Sequence, residues 1–269
     1  MWVELYNALY KDLISLASIA GVDESSLQKY FYPIGDTTSK SILLNLCSSL
    51  QNSGMMHNSI KFNDSNHSYR NIIQDALFDY DAKKASCFYS DWQSIYQAVI
   101  DRGISDNGMK KKKETNWEKY CRGIYDGLQF LACENGGKII RDLVAVTTLT
   151  EKELFKVIEI SKRIHGLGFS LTCDWLKECG CTWLAKPDVH IYSVIQALNP
   201  KKKLKDRDVI ELMYSWADAV KESGADNTVT AYKIDKIIWL LCTSEFYLDD
   251  GIKAGRDAII RKIKTLNTR

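Results

Sequence analysis

ISKRIHGLGFSLTCDWLKECGCTWLAKPDVHIYSVIQAL, residues 160–198, decides the fold prediction for this chain. It contains two amphipathic helix patterns that are joined by a turn in which Gly166 and Gly168 bracket one apolar residue. Glycine permits backbone conformations that other residues resist. The N–H groups after Gly168 would lie at a helix N-terminus, where the helix dipole favours an anion. The turn therefore predicts a hairpin that binds phosphate, although a plain connection between two helices would also contain such glycines.

Asp188 opens the next helix pattern, which carries apolar residues at Ile191, Val194 and Ile195. Aspartate is a preferred N-cap, and hydrogen bonds from helix N–H groups favour the ionised form of its carboxylate. An ionised carboxylate beside a sugar could stabilise positive charge at C1′ and orient a water molecule. A phosphate-binding turn followed by such a group points to an enzyme that acts on nucleic acid, whereas a purely structural cap needs no chemistry.

Helical patterns extend over most of the chain outside this stretch. Apolar residues recur at helical spacing in 2–20, 38–51, 90–101, 116–133, 206–223 and 232–242. Asn52–His67 is polar and predicts a loop, with Ser59–Phe62 as a candidate short strand. The 269 residues include only three prolines, which favours long helices, and 45% are hydrophobic, enough for a sizeable core. We therefore expect an all-α protein.

The charge and cysteine content bear on the environment and the partners of the protein. The net charge of +2 does not by itself indicate a nucleic-acid partner. Lys110–Lys113, Lys201–Lys203 and Arg261–Lys264 are basic clusters that could contact phosphates or simply be solvated. We expect no membrane segment and no secretory signal. Since the eight cysteines are dispersed, we expect reduced thiols and a cytoplasmic, nucleoid-associated or nuclear protein that is not secreted.

Two motifs of this stretch resemble those of a known enzyme family. IHGLGFSLTCDWL (164–176) and KPDVHI (186–191) stand in the order and at the spacing of the helix-hairpin-helix DNA glycosylases. This is the superfamily of endonuclease III and 8-oxoguanine glycosylase. A weaker match, AYKIDKIIWLL (231–241), looks like a late helix that is found in some members.

The resemblance implies the fold and the domain organisation. It predicts an all-α, two-lobed glycosylase fold with a DNA-binding groove between the lobes. We expect an N-terminal helical region at 1–110 and a glycosylase region at 114–269, with its hairpin at 160–177. Double-stranded DNA is the expected partner, and we expect a monomer that does not associate with membranes.

The resemblance also implies roles for individual residues. Asp188 would be the catalytic aspartate, which stabilises an oxocarbenium-like state once the target nucleotide has been flipped out of the duplex. Backbone N–H groups after Gly166 and Gly168, together with Ser170, would hold a DNA phosphate. His190 would contact the phosphate near the flipped nucleotide, or it is simply an exposed residue of the first helical turn.

Expectations about cofactors follow from the same motifs. The backbone carbonyls of Ile164 and Leu167 would bind a Na⁺ or K⁺ ion shared with the phosphate. Only Cys242 among the cysteines follows Asp188, so the four-cysteine iron–sulfur cluster of some members cannot form. We expect no other cofactor to be required.

Ser170 marks the main departure from the family pattern. Bifunctional members carry a lysine at this position, two residues after the second glycine of the hairpin. Serine cannot form a Schiff base, so strand cleavage of the lysine type is not expected. The predicted activity is that of a monofunctional DNA N-glycosylase, in which Asp188 activates water and an abasic site is left. A smaller departure is His165, which replaces the usual proline of the hairpin.

The late segment of the chain supplies the candidate residues of the base pocket, and the substrate class stays open. The late segment offers Trp239, Phe246, Tyr247 and Asp235 as pocket residues, although the aromatic rings could equally belong to the core. Oxidised or alkylated purines, deaminated or mismatched pyrimidines and enlarged modified cytosines are all possible substrates. A narrower hypothesis is excision of a modified base from phage DNA as a defence, and it is motivated only by the unmatched N-terminal third.

Two alternative functions are compatible with the same residues. A non-catalytic helix-hairpin-helix module would bind DNA through the hairpin without needing an acid at Asp188. A helical protein-interaction domain would have no nucleic-acid role, and neither the hairpin nor Asp188 would contact DNA.

Overall fold

The computed structural model describes residues 1–33, 36–64, 68–106, 114–133 and 135–246 of the protein. All regular secondary structure in these ranges is helical, which confirms the prediction of an all-α fold. The α-helices of the described ranges are α1 (Trp2–Ile19), α2 (Glu24–Gln28), α3 (Ser39–Leu50), α4 (His57–Ile60), α5 (Arg70–Ala76), α6 (Ala82–Phe88), α7 (Trp92–Asp101), α8 (Asn116–Cys133), α9 (Gly136–Val144), α10 (Glu151–Ser161), α11 (Phe169–Glu178), α12 (Val189–Leu198), α13 (Asp206–Glu222) and α14 (Ala231–Thr243). Two 3-10 turns, Lys29–Phe31 and Ser53–Met55, complete the set.

One compact unit, here the hairpin unit, comprises the described residues between 34 and 180. Its central helix is α8, which packs against α3, α4, α6, α7 and α9. The Tyr120 hydroxyl of α8 donates a hydrogen bond of 2.9 Å to the Cys47 carbonyl of α3. Trp175 of α11 donates its ring N–H to the Ile42 carbonyl at 2.9 Å, so α11 is also fixed to α3. The second helix of the hairpin is thereby held by a buried tryptophan.

The second compact unit, here the terminal unit, comprises residues 1–33 and the described residues from 181 onward. Helix α14 is its core element, because it packs against α1, α12 and α13 and nearly all of its residues are buried. Trp216 of α13 donates its ring N–H to the Trp2 carbonyl at 2.9 Å, which ties α13 to the start of α1. The N-terminal helix therefore completes the core of the unit that carries Asp188.

Most of the helices predicted from apolar spacing are present within one or two residues of their predicted bounds. The candidate strand at Ser59–Phe62 is wrong, because Ile60 ends the short helix α4 and Lys61 adopts a left-handed conformation. Residues 53–60 of the polar segment form a 3-10 turn and this helix, whereas residues 61–64 carry no helix and 65–67 lie outside the described residues. The predicted domain boundary falls on 111–113, which lie outside the described residues.

Candidate nucleic-acid site

The predicted hairpin is formed by α10, a turn at residues 162–168, and α11. The turn is closed by a hydrogen bond of 3.1 Å from the Leu167 N–H to the Ile164 carbonyl. Ile164 and Leu167 are buried and anchor the turn in the core of the hairpin unit. Gly166 has a φ of +77°, a left-handed conformation that explains why glycine is required there.

Gly168 is the N-cap of α11 and has an ordinary extended backbone, with φ −62° and ψ 171°. A Cβ atom built on Gly168 would meet no atom of the described residues within 4 Å. Neither the conformation of Gly168 nor packing inside the protein therefore requires glycine at this position. The surface above its Cα is open to a molecule that approaches the backbone closely.

The first turn of α11 carries backbone donors that the described part of the protein leaves unused. No side chain caps this helix, and the N–H groups of Gly168, Phe169, Ser170 and Leu171 have no hydrogen-bond partner among the described residues. Thr172 is the first residue whose N–H is used, in a bond of 2.9 Å to the Gly168 carbonyl. Unpaired N–H groups and the positive end of the helix dipole together form the usual site for an anion.

The hairpin turn is positioned by residues that the sequence motif does not include. The Asp126 carboxylate of α8 accepts the His165 N–H at 2.9 Å. A Cβ atom on Gly123, one turn earlier on α8, would lie 2.7 Å from the His165 carbonyl oxygen, so glycine is needed for this close approach. On the other side, Ser53 Oγ lies 3.4 Å from the Cβ position of Gly166. Helix α8 and the Ser53 turn thus fix the hairpin backbone.

The charges near the turn are mixed. Lys162 and Arg163 are exposed at the end of α10, and the Lys162 ammonium lies 2.9 Å from Glu159. The His165 Nε2 atom lies 3.9 Å from a Glu114 carboxylate oxygen. Because the side chains carry both signs, the backbone N–H groups of α11 are the strongest feature for anion binding in the hairpin.

The backbone carbonyls predicted to bind a monovalent cation are both engaged in the turn. The Ile164 carbonyl accepts the Leu167 N–H, and the Leu167 carbonyl accepts the Thr172 hydroxyl at 3.3 Å. A carbonyl oxygen has two lone pairs, so each keeps one acceptor position. The residues therefore fit a Na⁺ or K⁺ ion, which stays a prediction.

Asp188 is half-buried and is the N-cap of α12 in the terminal unit. Its Oδ1 accepts the N–H groups of His190 at 2.9 Å and Ile191 at 3.1 Å. The Oδ2 atom has no hydrogen bond from any residue that the structure describes. One carboxylate oxygen thus fixes the side chain, while the other has no assigned partner.

His190 lies beside this carboxylate in the first turn of α12. Its Nδ1 atom is buried and has no hydrogen-bond partner within the described ranges. A buried ring nitrogen without a partner costs about 1–3 kcal/mol. The contact with a DNA phosphate that the sequence predicts for His190 stays a prediction.

The segment that leads into Asp188 is held by helix α14. Asp235 is 2% exposed, and its Oδ2 accepts the Lys186 N–H at 2.5 Å. The Tyr232 N–H, one turn earlier on α14, donates to the Thr182 carbonyl at 3.0 Å. Asp235, predicted from the sequence as a pocket residue, binds the backbone next to the proposed catalytic aspartate.

The remaining pocket candidates differ in exposure. Trp239 is partly exposed on α14. Phe246 is 1% exposed and packs edge-on against Tyr30 with a ring separation of 6.0 Å, so its ring belongs to the core of the terminal unit. Tyr247 lies outside the described residues. Two surface cavities, of about 330 and 450 Å³, are lined by other residues.

The lysine clusters contribute little within the described ranges. Lys201–Lys203 are exposed, and the Lys202 ammonium lies 2.6 Å from Asp208. The other two clusters lie outside the described residues. No helix in the ranges described combines the length and the apolar character that crossing a bilayer requires.

Metal binding has no candidate side-chain cluster in the described ranges. Three or more His, Cys, Asp or Glu side chains do not come together there in a way that could hold an ion. Burial raises the pKa of the Cys179 thiol to about 12, although a hydrogen bond from Asn45 opposes this effect. A thiol in this state is a poor nucleophile and a poor metal ligand.

Comparison of the chain with models of known protein families, with curated proteins and with solved structures gave no match. The geometry of the hairpin and of the Asp188 segment is therefore the basis for assigning a function.

Proposed function

We propose that the protein is a monofunctional DNA N-glycosylase of the helix-hairpin-helix type, with the two-lobed fold of that superfamily. The hairpin binds a phosphate of double-stranded DNA, and Asp188 acts on a nucleotide that is flipped out of the duplex. The product is an abasic site together with a free base. Two features within residues 160–198 support this function. One is the geometry of the hairpin turn and the start of α11, and the other is the geometry of the Asp188 cap of α12.

The observation that carries the proposal is the open N-terminus of α11. The four N–H groups that have no partner among the described residues, and the bare Cα of Gly168, suit a phosphate oxygen that approaches the backbone closely. Since neither conformation nor internal packing accounts for glycine at 168, close approach by a ligand supplies the missing physical reason. DNA is favoured over a free anion because the hairpin motif is followed by KPDVHI in the family's order.

Asp188 supplies the chemistry in this proposal. As the N-glycosidic bond breaks, its electron pair leaves with the base and positive charge develops at C1′ and the ring oxygen of the sugar. The ionised carboxylate stabilises this charge electrostatically. It then accepts a proton from the water molecule that adds to C1′, and this proton passes on to the departed base, which restores the carboxylate. The cap bonds to Oδ1 fix the side chain, and Oδ2 is the atom proposed to face the sugar.

Ser170 accounts for the monofunctional character. It occupies the position of the lysine in bifunctional members, and its hydroxyl cannot form an imine with the abasic sugar. A non-catalytic DNA-binding module is the second candidate. It is favoured by the cap itself, because the hydrogen bonds that Asp188 accepts from the His190 and Ile191 N–H groups already give it a structural role.

A panel of duplexes that each carry one modified base separates these functions. The full chain is incubated with each duplex, and the free base is measured by mass spectrometry. We expect release from at least one duplex. Asp188→Asn should abolish release and retain duplex binding, because asparagine caps a helix about as well as aspartate.

Three outcomes would decide against the glycosylase. Binding of duplexes without release of any base would favour the DNA-binding module. Base release that survives Asp188→Asn would show that another group is the catalytic one. Absence of salt-dependent duplex binding would remove both DNA functions, since phosphate contacts make such binding depend on salt.

A further inference from the structure

A buried carboxylate on α14 lies in contact with the backbone that leads to the proposed catalytic residue. Asp235 is 2% exposed, and a buried carboxylate requires strong hydrogen-bond donors to offset the loss of hydration. One of these donors is the Lys186 N–H, at 2.5 Å from Oδ2. The bond joins α14 to a residue only two positions before Asp188.

Three hydrogen bonds fix the path of the chain from Lys186 to the Asp188 carboxylate. The Asp188 N–H donates to the Lys186 carbonyl at 2.7 Å, which closes a tight turn across Pro187. Proline restricts the backbone between the two residues. The Asp188 side chain is then fixed by its cap bonds to α12. A displacement of the Lys186 backbone would therefore move the whole turn.

Helix α14 holds the same segment at a second point. The Tyr232 N–H donates to the Thr182 carbonyl at 3.0 Å, and Tyr232 and Asp235 lie three residues apart on one face of the helix. The two contacts attach residues 182 and 186 to α14, which packs against α12 as well. The helix that Asp188 caps and the turn that precedes it are thus fixed to one element.

We infer that Asp235 is a positioning residue for Asp188: its carboxylate holds the Lys186–Asp188 turn and so sets the position of the Asp188 carboxylate. This inference rests on the proposed function. Asp235 touches neither substrate nor reacting atoms in this role, which differs from the pocket role that the sequence suggests. This role requires only that an oxygen at the position of Oδ2 accepts the Lys186 N–H, and an amide oxygen can do so.

The test compares Asp235→Asn and Asp235→Ala in the full chain. Displacement of a catalytic group by about 1 Å can cost about 100-fold in rate. We expect Asp235→Ala to lower kcat by about 10- to 100-fold with little change in KM, because DNA binding at the hairpin does not involve this turn. Asp235→Asn should keep kcat within about threefold of the wild type, since it restores the acceptor.

Amide hydrogen exchange provides a readout that does not depend on activity. We expect faster exchange of the Lys186 N–H in Asp235→Ala, by about tenfold or more, and protection close to that of the wild type in Asp235→Asn. Asp226→Ala is the matched control. It removes another carboxylate bonded to α14, through Lys233. The other donors to this carboxylate are Tyr6 and Thr228, and no residue of 182–188 bonds to it in the described ranges. The control variant should lower stability without selective exchange at Lys186.

Each result supports or overturns the inference. Unchanged Lys186 exchange in Asp235→Ala would overturn it, and so would a loss of kcat in Asp226→Ala as large as that in Asp235→Ala. Equal losses of kcat in the Asn and Ala variants would also overturn it, because the negative charge of Asp235 and not its acceptor oxygen would then be required. If the wild type releases no base, the proposed function fails, while the exchange data still decide whether Asp235 holds the turn.

Discussion

Gly168→Asp places a carboxylate at the N-cap of α11, on the side of the helix terminus proposed to bind DNA phosphate. The site accepts the new side chain, because a Cβ atom at Gly168 meets no atom of the described residues within 4 Å. The backbone also suits it, since φ −62° and ψ 171° are the extended values of an N-cap. The substitution should therefore separate stability from DNA binding.

The stability of Gly168→Asp should rise slightly. The new carboxylate can accept the Ser170 or Leu171 N–H, neither of which has a partner in the described ranges. Aspartate at an N-cap is better than glycine by a few tenths of a kcal/mol, and its interaction with the helix dipole adds about 0.3–1 kcal/mol. The free energy of unfolding should increase by roughly 0.5–1.5 kcal/mol in total.

DNA binding should move in the opposite direction. The carboxylate occupies donors that the phosphate would use, and it repels the phosphate by its charge. Hydrogen bonds to a charged group contribute about 1.5–3 kcal/mol, so the dissociation constant should rise by at least about tenfold. The slope of log affinity against log salt concentration should decrease in magnitude by about 1, the value expected for the loss of one phosphate contact.

Fluorescence anisotropy with a labelled duplex at several salt concentrations gives both binding quantities, and denaturant unfolding gives the stability. Thr150→Asp is the matched control, because it makes the same charge change at the exposed N-cap of α10, the helix before the hairpin. It should retain binding. Wild-type affinity and salt slope in Gly168→Asp would refute phosphate binding at α11, whereas weak binding in both variants would indicate a general charge effect.

Two further predictions concern a buried ion pair and the missing lysine. Partial burial raises the pKa of the Asp226 carboxyl, but hydrogen bonds from Lys233, Tyr6 and Thr228 outweigh it and hold the pKa well below its ordinary value of 3.8. This stabilisation is complete above that value and is lost as the pH falls below it, so acid unfolding followed by circular dichroism should show a weaker pH dependence in Asp226→Asn. Borohydride should trap no covalent complex of the wild type with an abasic duplex, whereas Ser170→Lys should give one. A trapped complex with the wild type would contradict the monofunctional assignment.

Helix positions could be predicted from the sequence because apolar spacing reports directly on a buried face. Residues 116–133 show this for α8, whose predicted bounds match the structure. The segment at 59–62 shows the limit, since four residues with two apolar side chains, Ile60 and Phe62, fit a strand or a helical turn equally well. Its helical form follows from contacts between α4 and α8, which local spacing does not contain.

The hairpin could be recognised from the sequence, but its supports could not. Gly123 and Asp126 lie far from the hairpin in the chain, and only the fold shows that α8 approaches the His165 backbone. Two glycines that look alike in the motif also differ in their physical role. Gly166 is required by its left-handed backbone, whereas Gly168 has no such requirement. This difference is what makes Gly168 the informative position for a ligand.

The cap role of Asp188 and its proposed catalytic role are compatible because they use different oxygen atoms. A side chain that only capped α12 could be replaced by serine, threonine or asparagine with little loss, since all four are good N-caps. Catalysis requires in addition a full negative charge at a fixed position, which only the carboxylate supplies. The cap bonds to Oδ1 reduce the side-chain freedom that would otherwise have to be lost in the transition state. A helix N-terminus is thus a suitable position for a catalytic carboxylate, because its N–H groups hold and orient the side chain.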